Sequence, residues 1–102
     1  MNTKPQISVI IATYNRAKIL RDTLEAFTHL IPPTGGWELI VIDNNSTDYT
    51  RQVCEEFAKI LPIQYVFEHQ QGKNYALNTG LEKANGELLA VSYTHLTLPT
   101  KA

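Results

Sequence analysis

Two short aliphatic runs constrain this chain most. Ile7 to Ala12 reads Ile-Ser-Val-Ile-Ile-Ala, and Glu38 to Ile42 reads Glu-Leu-Ile-Val-Ile. Neither alternates apolar with polar residues, as a strand with one wet face would. A nearly continuous β-branched run of strand length belongs to a strand covered on both faces, and such strands occur mainly in parallel sheets. Parallel neighbours need a crossover of about a dozen residues or more, usually a helix. The intervening sequence supplies one. From Ala17 to Ile31 the apolar residues Leu20, Leu24, Phe27 and Ile31 recur at helical spacing, with Arg21, Asp22 and Glu25 between them. Pro32, Pro33, Gly35 and Gly36 then break the helix before the second run.

The same alternation continues. Asp43-Asn44-Asn45-Ser46-Thr47-Asp48 is rich in helix-capping residues, and Tyr49, Val53, Phe57, Ile60 and Leu61 follow at helical spacing until Pro62. Ile63 to Phe67 is a third strand, nearer an edge than the first two because its apolar character is weaker. His69 to Lys73 is a loop. Leu77, Gly80, Leu81 and Ala84 mark the buried stripe of a third helix, with Asn85-Gly86 predicted as its left-handed cap, and Glu87 to Val91 begins a fourth strand. The order β-α-β-α-β-α-β specifies an α/β fold: a mostly parallel sheet with right-handed crossovers and helices on both faces. A length of 102 residues allows one small core.

Charge and cysteine content narrow the function. Nine Lys and Arg balance ten Asp and Glu for a formal net charge of -1, without a basic run that could track a phosphate backbone. Nucleic acid and anionic membrane are thereby disfavoured as partners. The single Cys54 rules out an internal disulfide, reads as a small core residue, and fits a reducing, cytosolic setting. The polar start and the short apolar run after it match neither a signal peptide nor a membrane span.

In open parallel sheets ligands bind outside the carboxyl ends of the strands. The segments there are Thr13-Tyr14-Asn15-Arg16 and Asp43-Asn44-Asn45-Ser46, dense in hydrogen-bonding groups but without the glycines of a dinucleotide or phosphate-loop motif. A flat ring at Tyr14 facing a carboxylate at Asp43 outlines a pocket for a base and a ribose. Arg16 and Asp48 read as helix-entry groups and not as ligands.

Three blocks carry a family resemblance: Ser8-Val9-Ile10-Ile11-Ala12-Thr13-Tyr14-Asn15-Arg16, Leu39-Ile40-Val41-Ile42-Asp43-Asn44-Asn45-Ser46-Thr47-Asp48, and Gly72-Lys73-Asn74-Tyr75-Ala76-Leu77-Asn78-Thr79-Gly80. In this order they resemble the opening of the family 2 glycosyltransferases. The resemblance implies a truncated GT-A fold and an enzyme that moves a sugar from a nucleotide diphosphate donor to an acceptor with inversion. It also implies site roles. Tyr14 would pack on the base, with Thr13 and Asn15 shaping the loop, and Asp43 would bind the nucleoside, most often uridine in relatives. Lys73 would approach the diphosphate. Leu77 stands where many relatives carry Arg. Asn78 is placed with the substrate contacts, a structural hydrogen bond to a neighbouring loop being the alternative.

The resemblance covers Ile7 to Val91. Relatives continue into an Asp-x-Asp motif that holds magnesium or manganese through carboxylate oxygens. Here residues 92–102 contain no acidic group, and none follows Glu87. The expected organisation is therefore residues 1–91 as the nucleotide-binding part of the domain and 92–102 as an unrelated tail, such as a cloning or sequencing artefact. A chain so composed has no metal site and no catalytic base of its own. Two rivals are a non-catalytic nucleoside-binding module and a receiver-like signalling domain. The latter would need an acidic pair where Thr13-Tyr14-Asn15 stand.

Overall fold

A computed structural model describes residues 5–93. Seven elements follow in order: β1 (Ile7–Thr13), α1 (Ala17–Phe27), β2 (Trp37–Asp43), α2 (Thr50–Phe57), β3 (Ile63–Phe67), α3 (Lys73–Lys83) and β4 (Leu88–Tyr93). All pairings are parallel, and the sheet order is β3-β2-β1-β4. The strand with the weakest apolar run lies at an edge, and β1 and β2 lie inside, as their composition requires. The chain steps outward from β1 to β2 to β3 and then crosses back beyond β1 to β4, so the order reverses beside β1.

The sheet divides the interior into two clusters, one on each face, instead of the one small core expected from the length. Leu20 and Leu24 of α1 and Val53, Cys54 and Phe57 of α2 pack on Ile11, Leu39 and Val41. On the opposite face Ala76 of α3 meets Ile10, Ala12, Ile40 and Ile42. The helices occupy both faces because successive strand residues point to opposite sides and both sides are apolar here. A stacked Phe27–Trp37 pair, with centroids 5.5 Å apart, closes the amino end of the first core.

The structure departs from the periodicity at four places, the first being α2, which runs only from Thr50 to Phe57 and leaves the expected stripe positions Tyr49 and Ile60 exposed. α1 stops at Phe27, and Ile31 is 91% exposed instead of buried. Pro32 disfavours helical backbone at the residue before it, so the last apolar position of the stripe is carried off the helix. On α3 the buried stripe is Ala76 and Gly80, whereas Leu81 is exposed. The helix lies too close to the sheet for large residues: a Cβ on Gly80 would sit 2.6 Å from Ile10 Cγ2.

The expected left-handed cap at Asn85-Gly86 is absent as well. Ala84 ends α3 in an extended conformation (φ -74, ψ 136), and Gly86 is not among the positive-φ glycines. Glycine is needed there for space, because a Cβ would lie 2.6 Å from the backbone nitrogen of Ser8. The Gly86 amide instead donates to Ser8 Oγ at 2.7 Å, tying the start of β4 to β1. β4 continues through Ser92 and Tyr93, two residues past Val91, paired with Ile11 and Ala12. Residues 94–102, most of the expected tail, lie outside the described residues.

Candidate functional site

Register brings the site together. Thr13 and Asp43 are paired at the carboxyl ends of β1 and β2, and Phe67 pairs with Asp43 at the end of β3. The segments that leave these ends are β1–α1 (residues 14–16), β2–α2 (44–49) and β3–α3 (68–72).

Side chains stitch the three segments into one body. Asn15 holds a left-handed backbone (φ 48), which asparagine tolerates better than most residues. Its Oδ1 accepts the Thr47 amide at 2.8 Å, and its own amide donates to Ser46 Oγ at 2.8 Å. Asp48 accepts from the amides of Ala17 (3.1 Å) and Thr50 (3.0 Å), serving the starts of α1 and α2 with one carboxylate. Burial opposes ionisation of Asp48, yet the hydrogen bonds from Thr50 and Ala17 win and hold its pKa below the ordinary value. Asp48 is thus the helix-entry residue its position suggested.

Asn44 links the other pair of segments. Its amide donates to Thr13 O at 2.8 Å. Its Nδ2 donates to the carbonyls of Glu68 (3.1 Å) and Gln70 (2.8 Å), and its Oδ1 accepts the Gly72 amide at 2.9 Å. Glu68 braces the same loop against α3, accepting the hydroxyl of Thr79 on that helix at 2.5 Å and the Gln70 amide at 2.9 Å. Those two bonds hold its pKa below the ordinary carboxylate value.

A shallow cavity of about 240 Å³ opens over these segments, lined by Tyr14, Asn44, Gln71, Gly72 and Lys73. It has an aromatic ring, two carboxamide residues and the cationic first residue of α3. Tyr14 is 37% exposed, enough to present a ring face. Gly72 sits at φ 137, a backbone that L side chains rarely adopt, where the chain turns into α3. An apolar groove of about 220 Å³ lies at the other end of the sheet, among Ile7, Val9, Phe27, Leu30 and Trp37. Without polar side chains to orient a ligand, it does not suit a nucleotide.

Of the six residues that the sequence placed in the site, Tyr14 and Lys73 meet in this cavity. Thr13 is buried beneath it, and Asn15 spends its carboxamide oxygen on the loop clamp. Asp43 is 2% exposed and is not among the residues that line the cavity. Its Oδ1 accepts the Ser46 amide at 2.9 Å, and its Oδ2 accepts the Tyr65 hydroxyl at 2.5 Å. Burial and the Asp43 bond push the Tyr65 pKa up, which keeps that hydroxyl a donor. Asn78 lies farther along α3, exposed and outside the cavity lining. Buried Cys54 has its thiol pushed up to about 12, first by desolvation and then by Asp43 and Glu55, so it is no nucleophile.

Sequence reasoning missed three residues of the candidate site: Asn44 and Gln71, which line the cavity, and Tyr65, which holds Asp43. Asn44 was visible only as one polar residue in a capping stretch, and Tyr65 only as a strand former. Among the described residues no three His, Cys, Asp or Glu come together to hold a metal ion. They do not by themselves form a site for the divalent cation that the family resemblance implies. No helix among them is long and apolar enough to cross a membrane.

Comparison with known proteins bears on the family and the fold. The sequence model of the family described as glycosyl transferase family 2 matches residues 8–100. The chain is 36% identical over 91 residues to the glycosyltransferase AglE of Haloferax volcanii, covering 87% of this chain and 30% of that protein. Among solved structures it is similar to a mannosyltransferase from Pyrobaculum calidifontis in complex with GDP-Man and Mn2+, at 33% identity and TM-score 0.75, over 86% of this chain and 27% of that one. It is also similar to TarS of S. aureus in complex with UDP-GlcNAc, at 28% identity and TM-score 0.76, over 86% of this chain and 26% of that one. The chain thus spans less than a third of each of these relatives.

Proposed function

From membership of glycosyl transferase family 2, to which the chain belongs, we propose that it supplies the nucleotide-binding part of an inverting glycosyltransferase that uses a nucleotide-diphosphate-sugar donor, with uridine as the base. The fold is that of GT-A glycosyltransferases. One observation carries the reading: Tyr14 and Lys73, drawn from two distant sequence blocks, line a single cavity at the carboxyl ends of parallel strands.

In this reading the base packs on the Tyr14 ring. The diphosphate lies toward Lys73, where the ammonium and the positive end of α3 both favour negative charge. Asp43 accepts from the base or ribose through acceptor positions left over, since each carboxylate oxygen holds one hydrogen bond inside the protein and has room for another. Thr13, Asn15 and Asn78 complete the proposed set, the first two by shaping the Tyr14 loop. Sugar transfer needs a cation to stabilise the departing diphosphate and a base on the acceptor hydroxyl. We place both outside residues 1–91, a division supported by the lack of any Asp or Glu after Glu87. A cytosolic setting belongs to the same proposal and is supported by the single buried thiol.

Calorimetric titration with UDP and GDP, each with and without manganese, tests it. The expected result is weak, metal-independent binding that favours UDP. A preference for GDP would overturn the uridine assignment. A large manganese-dependent gain would show that the chain holds a cation site, and no binding of either nucleotide would remove the function.

A further inference from the structure

We propose that Asn44 is a positioning residue for nucleotide binding: its buried carboxamide sets the separation between the Tyr14 wall of the cavity and the Gly72–Lys73 wall. The proposal rests on the nucleotide-binding reading above and adds a residue to it.

Asn44 is 3% exposed, and the three hydrogen bonds of its carboxamide all go to one loop. Two donors meet two carbonyls, of Glu68 and Gln70, and the acceptor meets the Gly72 amide. That match of donors and acceptor is specific to a primary amide. A carboxylate at the same place would keep the Gly72 bond and face two carbonyl oxygens without a proton to offer. The backbone of the same residue donates to Thr13 O, next to Tyr14 in the chain. One residue therefore ties both cavity walls, and it lines the cavity itself. The loop it holds carries Gly72 at φ 137, a bend with little intrinsic preference to be where it is. A nucleoside diphosphate binds with base and phosphates at fixed separation, so a loop ordered in advance spares the ligand the entropy of ordering it.

The test uses the 102-residue chain as wild type, Asn44→Asp and Asn44→Ala. UDP affinity is measured by calorimetry, amide hydrogen exchange of residues 70–73 by NMR, and fold integrity by denaturation followed through Trp37, which stands at the opposite end of the sheet. Near neutral pH, Asn44→Asp is expected to exchange faster at residues 70–73 and to bind UDP about tenfold more weakly or worse, the size of one lost buried hydrogen-bond partner. Acidification that protonates the introduced carboxyl restores one donor, so affinity and protection should recover relative to wild type at the same pH. A purely structural role would lower the denaturation midpoint and leave the affinity of the folded fraction and its pH profile unchanged. If Asn44→Ala does not fold, Asn44→Asp, nearly identical in shape, carries the test. Folded Asn44→Asp that binds UDP within about twofold of wild type overturns the proposal. Wild type that binds no UDP overturns the functional reading and the positioning role with it. The exchange data then still decide whether Asn44 orders the loop, which separates the two failures.

Discussion

Replacing Gly86 with alanine should destabilise the chain more than the same change at Gly80, although a new Cβ meets an atom at 2.6 Å in both cases. The difference lies in what is met. At Gly80 the nearest atom is Cγ2 of Ile10, a side-chain atom that must move well beyond its 2.6 Å position but can do so without displacing a strand's backbone. Alanine also favours a helix interior by about 1 kcal/mol over glycine, which offsets much of an overpacking cost of about 1–3 kcal/mol. The net effect at Gly80 is a loss of about 0–2 kcal/mol. At Gly86 the atoms met are Ser8 N at 2.6 Å, Ile7 C at 2.8 Å and Ser8 Oγ at 2.8 Å. β1 is paired on both sides, with β2 and β4, so its backbone cannot retreat without disturbing two ladders. The Gly86–Ser8 hydrogen bond is strained as well, adding about 1 kcal/mol. The sum is a loss of about 2–4 kcal/mol, a large share of the roughly 5–15 kcal/mol typical of a domain. Urea denaturation followed through Trp37 fluorescence measures both. Equal midpoints for wild type and Gly86→Ala, or a greater loss for Gly80→Ala, would refute the reasoning.

Three further outcomes are expected. Asp43→Asn should weaken UDP binding by about 1–3 kcal/mol, as read by calorimetry; unchanged affinity would confine Asp43 to holding Ser46 and Tyr65. Glu68 has a folded pKa below its ordinary value, so its contribution to stability is fully present above the unfolded pKa and is lost as pH falls through the folded one. Protection of the 68–72 loop should therefore fade on acidification in wild type and show a flatter pH dependence in Glu68→Gln, and identical profiles would contradict this. Leu88, Leu89 and Val91 are 56%, 49% and 43% exposed on β4, a strand at the end of the sheet order. Sedimentation should show concentration-dependent association that Leu89→Lys reduces, because a charge blunts an edge strand; a wild type that stays monomeric throughout would count against it.

Most of the architecture was legible because it rests on short-range pattern. Continuous aliphatic runs marked β1 and β2 as interior strands, and weaker patterning put β3 at an edge. Failures occurred where tertiary distance decides. Gly80 does lie on the buried stripe that its spacing gives, but the need for glycine there, and at Gly86 in place of the expected cap, is close approach to β1, which no periodicity encodes. In the site, Tyr14 and Lys73 were legible through the family blocks. The clamp formed by Asn44 was not, since its partners lie 24 to 28 residues away. Asp43 shows what strand-end reasoning leaves out: the residue stands at the carboxyl edge, and both of its carboxylate oxygens are already engaged, by Tyr65 and Ser46, which no local pattern encodes.

The most direct test of the central claim is a map of backbone amide shifts in labelled protein as UDP is added. The account predicts that the largest changes fall on Tyr14, Asn44, Gln71, Gly72 and Lys73, the residues around the cavity. Changes centred instead on Ile7, Val9, Leu30 and Trp37, at the opposite end of the sheet, would contradict it.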